Sequence, residues 1–365
     1  MSDAAAAATL APSPGRSRIE WLDYAKGTCI ILVVMLYSVE VATERLGCAG
    51  WIGRVADFAR PFRMPDFFLL SGLLLPRVID RPWRRYLDRK VVHFAYFYVL
   101  WVTILVAYRG LMSAVAGAHQ DVLHVYLASF VKPFSMLWFI YMLAIFFVVT
   151  KALRSVPAWL TGACAAALFL WQPPTEIKIL EKFMQYYVFF FTGYALSARA
   201  FRYADLVRAH AGTALVLLLA WGLANGALVL GGYSRLPGLN LAMALVGSGA
   251  VIAFGVLLSR VRAGGAVAYC GAHSIVIYLA FYIPLTLTAK VLVAAHLVRD
   301  GGWLGAWSTA SGVLGALALY WAVRRSFLSF LFERPAWLSI DRGSGGGARS
   351  ARPEAMEGLQ AGATR

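Results

Sequence analysis

Charged residues are scarce in this chain. Of its 365 residues, 14% are Asp, Glu, Lys or Arg, whereas a typical soluble domain contains about 25%. Another 60% are hydrophobic, and apolar runs of about 20 residues, the length that crosses a hydrocarbon core, recur along the chain. This composition excludes a soluble globular protein and predicts a polytopic integral membrane protein of the all-α class.

The chain also lacks the common sequence signatures of metal, disulfide and nucleotide sites. Its four cysteines include no CxxC pair, and its six histidines show no HExxH spacing. The sequence therefore predicts neither a metal site nor a disulfide framework. It contains no GxGxxG fingerprint and no phosphate loop.

The basic residues indicate membrane topology rather than nucleic-acid binding, although the net charge is +16. With the N-terminus inside, the cytoplasmic segments carry 23 of the 34 Lys and Arg residues and the outer loops carry 11, as the positive-inside rule requires. Both termini are therefore predicted to be cytoplasmic. The ten predicted membrane helices are approximately 27–43, 64–79, 91–107, 136–152, 158–172, 183–198, 211–231, 238–258, 267–289 and 303–323.

The apolar part of the chain is predicted to be one domain in the lipid bilayer, residues 21–335. Residues 1–20 are rich in Ala and Pro, and we expect a disordered segment without a cleavable signal. Residues 336–365 are rich in Gly, Ala and Arg, and we expect a largely disordered cytoplasmic tail.

The first apolar segment carries polar residues at helical spacing. Lys26 opens the segment, and Tyr37 follows eleven residues later. On an α-helix this is about 16 Å further along nearly the same face. Glu40 follows about one turn beyond Tyr37. Polar groups on one stripe of a membrane helix indicate a path or a site rather than a plain anchor.

Two further ionisable residues begin the next predicted spans. Asp66 follows Pro65, and is either a helix-start charge favoured by the helix dipole or a functional carboxylate. His93 is either an interfacial residue or a proton-transfer group, since its ordinary pKa lies near neutrality. We expect the small residues Ser71 and Gly72 to allow close helix packing.

The loop between the second and third predicted spans is unusually basic. It holds six Lys or Arg residues within residues 76–90. Guanidinium groups suit bidentate phosphate contacts, so the loop is a candidate binding surface for a polyanionic ligand. The alternatives are ordinary positive-inside charge and contact with anionic lipid head groups. The candidate ligand-binding arginines are Arg81, Arg84, Arg85 and Arg89.

These segments, in this order, resemble the acyltransferase 3 family of integral membrane acyltransferases. The resemblance extends from about Trp21 to Ser326. It implies transfer of an acyl group, often acetyl, from cytoplasmic acyl-CoA to a hydroxyl of a carbohydrate, glycolipid or related extracytoplasmic acceptor. It also implies about ten membrane helices in a bacterial inner membrane. The segments that carry it are WLDYAKG at 21–27, FRMPDFFLLSG at 62–72, YLDRK at 86–90, LWF at 137–139 and SIVIYL at 274–279.

The resemblance also assigns residues. The family's opening motif is a basic residue, ten arbitrary residues and then the His usually regarded as catalytic. Lys26 matches the basic residue, and Tyr37 occupies the His position. The family's Arg-x-x-Arg pattern matches Arg81 and Arg84, and a later family His corresponds to Phe281. We therefore expect Lys26 and the loop arginines to hold the phosphates of acyl-CoA, with acetyl-CoA as the expected donor.

Tyr at position 37 leaves the identity of the general base open. An effective base has a pKa close to the working pH, as imidazole does, whereas the ordinary pKa of a Tyr hydroxyl is about 10. Three explanations compete. The protein is an altered or inactive copy; or Glu40, Asp66 or His93 acts as the base; or Tyr37 orients groups in a slower reaction. The alternative functions are a homologue that binds a ligand or partner without catalysis, and a transporter or flippase.

Overall fold

The structure, a computed structural model, describes residues 19–338 except 116, 118–120, 262 and 263. Within these residues the regular structure is helical and contains no strand. The all-α class predicted from the sequence is confirmed. The predicted disordered segments 1–20 and 336–365 lie almost wholly outside the described residues, so their disorder stays a prediction.

The helices follow one another with short connections. A π-helical turn, Asp88–Val92, joins α4 to α5, and the last described residues form 3-10 turns. The α-helices of the described part are α1 (Glu20–Leu46), α2 (Gly50–Ala59), α3 (Arg63–Leu73), α4 (Trp83–Leu87), α5 (His93–Val115), α6 (Val122–Ala128), α7 (Trp138–Ala152), α8 (Ala158–Trp171), α9 (Lys178–Ala195), α10 (Ser197–Ala209), α11 (Ala211–Leu230), α12 (Pro237–Leu258), α13 (Gly265–Ala272), α14 (Ser274–Ala280), α15 (Tyr282–Ala294) and α16 (Gly301–Val323).

Several of these helices are long and apolar enough to cross a membrane. Among the described residues there are six such segments, or seven if the bent pair α14 and α15 is one span. This confirms a polytopic membrane protein. The count of ten spans and the side of the termini stay predictions, because α3 and α8, with 11 and 14 residues, are shorter than a hydrocarbon core requires. The six segments are Glu20–Leu46, Trp83–Val115, Ser135–Ser155, Ala211–Leu230, Pro237–Leu258 and Gly301–Val323.

The ninth predicted span, 267–289, is not one straight helix. It is divided into α13, α14 and α15, and the last two are bent by 51° at Phe281. Apolar composition continues through this bend, so hydropathy does not reveal it. Broken membrane helices occur where backbone or side chains line a cavity inside the protein.

Helix α1 lies at the centre of the bundle, against α3, α12, α13 and α16. It approaches α13 closely, because a Cβ added at Gly27 would overlap the carbonyl of Val267. A Cβ added at Gly271 would likewise overlap the carbonyl of Asp23. Small residues allow such close approach, which drives helix association in membranes.

Helices α3 and α9 are also in close contact. A Cβ added at Gly72 would overlap the carbonyl of Phe190, and one added at Gly193 would overlap that of Leu69. The predicted packing role of Gly72 is confirmed. Its neighbour Ser71 instead lines a cleft between the helices.

Aromatic side chains fill the space between α3, α7 and α9. The ring of fully buried Phe68 has its centroid 4.5 Å from that of Phe139, 5.0 Å from Phe146 and 5.3 Å from Tyr186. Tilted ring pairs at these distances add to the free energy of burial. This packing holds the three helices together.

Candidate active site

A basic cluster forms at the end of the bundle where α1 begins. Lys90, buried in the π-helical turn, lies within electrostatic reach of Lys26, Arg81 and Arg89. Arg81 in turn has Arg89 and Arg85 as charged neighbours. The structure therefore brings together four of the five residues predicted to bind the donor, around Lys90, a further basic residue of the predicted binding loop.

The charges of this basic cluster crowd one another. Burial and the neighbouring Arg89 and Arg85 guanidinium groups lower the pKa of Arg81, which precedes the membrane segment. Several guanidinium and ammonium groups gathered on one surface suit contacts with phosphate groups, so the arrangement is compatible with an anion-binding site. Arg84, the fifth predicted residue, is exposed on α4.

Lys151, near the end of α7, supports the loop that carries these arginines. Its buried ammonium group donates to the carbonyl of Ile79 and, at 2.7 Å, to that of Arg81. It also lies 5.0 Å from the ring centroid of Trp83 and 4.6 Å from that of Tyr86, in the range of cation–π contacts. Lys151 thus fixes the backbone from which the Arg81 side chain projects.

The segment after α16 closes over the same end of the bundle. Arg334 forms a mostly buried ion pair with Asp88 at 2.8 Å, and donates to the backbone carbonyl of Asp88 at 2.8 Å. Tyr96 and Trp101 on α5 donate to the backbone carbonyls of residues 330 and 331, at 2.8 and 3.0 Å. This C-terminal clasp ties the π-helical turn and α5 to the end of the described chain.

A narrow apolar cleft of about 40 Å³ leads from Lys26 into the bundle. Its walls come from α1, α3, α5, α7 and α14, and among the described residues Lys26 brings the charge to its lining. Tyr278 lines the cleft and lies within electrostatic reach of Tyr37. The cleft marks an apolar path from the basic cluster towards Tyr37, and an extended ligand arm would have to widen it on binding.

At the opposite end of α1, Tyr37 and Glu40 meet polar side chains from other helices. Tyr37 lies within electrostatic reach of Glu40 and Arg63, and Trp138 is a side-chain hydrogen-bond partner of Tyr37. Tyr186 on α9 is a further neighbour of both Tyr37 and Arg63. We call Tyr37, Glu40 and Arg63 the polar triad.

Arg63 was considered from the sequence only as an ion-pair partner of Asp66, and the structure places it beside Tyr37 and Glu40 instead. The residue is 6% exposed, and one of its terminal N–H groups donates to the carbonyl of Ala56 at 3.3 Å. Its Nε atom has no hydrogen-bond partner within the described part of the chain. A buried guanidinium with an unused donor, next to a carboxylate and a hydroxyl, can stabilise negative charge on a reacting group.

Asp66 lies in a different environment. It is fully buried, and Ser248 on α12 donates to its Oδ1 atom at 2.6 Å, while Oδ2 has no hydrogen-bond partner among the described residues. Cys29 on α1 lies within electrostatic reach of Asp66. The structure therefore joins Asp66 to the α1–α12 packing rather than to the polar triad.

His93 lies near the basic cluster. Its charged neighbours are Arg334, Lys90 and Asp88. Lys90 is close to Lys26, so His93 is about three helical turns from Tyr37 along α1. Of the three carboxylate or imidazole groups predicted as alternative bases, Glu40 is the one beside Tyr37.

The described residues contain no group of three His, Cys, Asp or Glu side chains that could hold a metal ion. All four cysteines are free; Cys29 and Cys270 are buried, and Cys48 and Cys164 are exposed.

Comparison with known proteins agrees with this architecture. The family model described as an acyltransferase domain matches residues 19–325, which include every helix from α1 to α16. The chain therefore belongs to the acyltransferase 3 family, as its motifs predict.

A relative of known name is the inner membrane protein YcfT of Escherichia coli strain K12. It is 31% identical over 158 residues, a match that covers 36% of this chain and 43% of YcfT. The match thus spans less than half of that protein's length. No solved structure matches the chain. The family, the relative and the apolar helices together confirm a multi-pass protein of the inner membrane.

The two positions at which the resemblance places family histidines are in contact. The ring centroids of Tyr37 and Phe281 are 5.4 Å apart. Phe281 is fully buried at the bend between α14 and α15. The bend therefore places Phe281 against Tyr37. In this chain an aromatic pair occupies the two positions that correspond to family histidines.

Proposed function

We propose that this protein transfers an acyl group, in the first instance acetyl, from cytoplasmic acyl-CoA to a hydroxyl of a carbohydrate, glycolipid or related acceptor across the membrane. The observation that carries the proposal is the apolar cleft, which has the basic cluster at one end and approaches the polar triad at the other. Family membership independently favours acyl transfer.

The donor end of the site fits acyl-CoA. The phosphates of CoA are polyanionic, and Lys26, Arg81, Arg85 and Arg89 supply the positive charge to bind them. The apolar cleft suits the uncharged arm that carries the thioester. Lys26 and Tyr37 lie about 16 Å apart along α1, so an arm held at Lys26 would run along α1 towards Tyr37.

In the proposed reaction the acceptor hydroxyl attacks the thioester carbonyl carbon beside the polar triad. Glu40 takes up the hydroxyl proton, and Arg63 stabilises the negative oxygen of the tetrahedral intermediate. The carbon–sulfur bond then breaks, and CoA leaves as a thiolate that takes up a proton. Tyr37 donates a hydrogen bond and orients the reacting groups.

The proposal is tested by acyl transfer from labelled acetyl-CoA in membranes that contain the protein, followed by recovery of label in the glycan and glycolipid fractions. The unaltered chain is compared with Tyr37→His and with Tyr37→His combined with Phe281→His. We expect transfer by the unaltered chain and a gain of at least about tenfold for Tyr37→His, because a positioned imidazole base contributes about 10²–10⁴ in rate.

A second function, acyl-CoA binding without turnover, is favoured by the aromatic pair Tyr37 and Phe281. Acetyl-CoA binding without transfer by the unaltered chain, with transfer restored by Tyr37→His, would support it. Neither binding nor transfer by any of the three proteins would overturn both functions.

A further inference from the structure

A second pocket, distinct from the apolar cleft, lies at the Glu40 end of the bundle. Its volume is about 270 Å³, and residues of α3, α8, α9 and α12 and of their neighbouring turns form its walls. This size is near the lower end of the range for small-molecule sites, about 300 Å³. Tyr186 lines the pocket and is also a neighbour of Arg63 and Tyr37. The pocket therefore lies beside the polar triad.

The pocket presents fixed amide groups, so we call it the amide pocket. The Nε2 atom of Gln172 donates to the carbonyl of Phe169 at 2.7 Å, and the Nδ2 atom of Asn240 donates to that of Ser234 at 2.7 Å. These bonds leave Oε1 of Gln172 and Oδ1 of Asn240 without a protein donor among the residues described. Both oxygens can accept hydrogen bonds from ligand hydroxyl groups.

The backbone at Gln172 is held in an unusual conformation. Its φ is 29°, in the region that L-residues rarely adopt. This conformation ends α8 and places the amide in the pocket wall. Such strained conformations persist where surrounding contacts hold the backbone in place, which is common at binding sites.

The lining of the amide pocket is close to neutral and partly aromatic. Among the described residues of its lining Arg60 carries the charge, and Asp57 forms an ion pair with Arg60. Tyr186 and Phe189 contribute rings. Amide acceptors suit a ligand with several hydroxyl groups, and rings suit the apolar face of a pyranose.

We propose that the amide pocket binds a neutral saccharide, through hydrogen bonds from its hydroxyl groups to Gln172 and Asn240. The further statement that this saccharide is the acyl acceptor rests on the proposed function. Saccharide binding itself requires neither acyl-CoA nor turnover, so it is measured separately.

The test uses the full chain in lipid nanodiscs and the methyl glycosides of glucose, galactose, mannose and N-acetylglucosamine, titrated by calorimetry and saturation-transfer NMR. The variants are Asn240→Leu and Gln172→Leu. Glu176→Leu is the control, because Glu176 is exposed between α8 and α9 and does not line the pocket. We expect at least one glycoside to bind the unaltered and control proteins, and each amide variant to raise its Kd by about tenfold, the loss of one hydrogen bond.

Each outcome decides the question, provided that the variants keep the unfolding temperature of the unaltered protein. Binding of none of the four glycosides, equal Kd values in all proteins, or tighter binding of methyl glucuronide than of methyl glucoside would overturn the neutral-saccharide site. Glycoside binding that is lost in the amide variants, without acyl transfer by the unaltered chain, would leave the saccharide site standing and remove the proposed function. Acyl transfer that is unaffected by both variants would leave the function standing and remove the acceptor assignment.

Discussion

Glu40 owes its proposed role to its neighbours rather than to its burial. Glu40 lies at the surface as a residue, but its carboxylate is within electrostatic reach of Tyr37 and Arg63, one turn beyond Tyr37 on α1. A carboxylate at that place can receive a proton from an acceptor that comes from the Glu40 end. The guanidinium beside it can at the same time hold the negative charge that forms on the thioester oxygen.

We expect Glu40→Gln to lower acyl transfer by about 10²–10⁴, the contribution of a positioned base. Acetyl-CoA binding remains unchanged, because the basic cluster lies about four turns away. The matched control is Glu44→Gln, which removes the same charge one turn further along α1, where the side chain is exposed. The measurement is transfer of labelled acetyl together with the Kd for acetyl-CoA. Equal loss of transfer in the two variants would assign the effect to surface charge and contradict the base role.

Spacing along one helix predicted part of the site, and contacts between helices supplied the rest. Lys26 and Tyr37 could be placed on one face of α1 because an α-helix repeats every 3.6 residues. Arg63 and Lys90 could not be assigned in this way. A basic residue near a membrane edge has the same sequence context whether it faces water or a neighbouring helix, and only the packed structure reveals the difference.

At the level of the helices, the contact of α3 with α9 positions Arg63 relative to Tyr186. We expect Gly193→Val to destabilise this contact by about 1–3 kcal/mol, the usual cost of overpacking, because a side chain there overlaps the backbone of Leu69. The control is Gly222→Val on α11, since a Cβ at Gly222 has no neighbouring atom within 4 Å. The measurement is the thermal unfolding midpoint in detergent, and equal midpoints for the two variants would contradict the close packing.

The loop that carries the arginines has its own support in Lys151. We expect Lys151→Met to raise the Kd for acetyl-CoA by about tenfold, because the loop loses two charge-assisted hydrogen bonds and two cation–π contacts. Faster trypsin cleavage at the exposed Arg84 and Arg85 should accompany this loss. Lys178→Met is the control, because Lys178 is 59% exposed at the other end of the bundle. An unchanged Kd with unchanged cleavage would contradict the positioning role.

Hydropathy predicted where the long helices lie, but not how they are interrupted. Each of α1, α7, α11, α12 and α16 corresponds to a predicted span. The bend at Phe281 was not predicted, because the apolar composition there is continuous; its sequence signal is Pro284, which has no N–H to donate to the carbonyl of Ala280 one turn earlier. The α-helical geometry of residues 88–92 is widened to a π-helical turn, a feature that is frequent at functional sites and has no simple sequence signature.

For the whole molecule, α1 connects two chemically different ends. The Lys26 end collects positive charge from α1, the π-helical turn and the loop before it, and the Glu40 end carries the polar triad and the amide pocket. The division of charge along the chain predicted a basic cytoplasmic surface. It could not predict the amide pocket, whose lining comes from four segments that are far apart in sequence and individually unremarkable.

The C-terminal clasp has a consequence for biosynthesis. Asp88 and Arg334 are 246 residues apart. At about 5–20 residues per second, the ribosome adds Arg334 roughly 10–50 seconds after Asp88. Until then the carboxylate of Asp88 lacks this partner, and α5 lacks its contacts with the backbone of residues 330 and 331. The donor end is therefore completed by residues translated after α16, so a nascent chain that stalls at the end of α16 would carry an unfinished donor end.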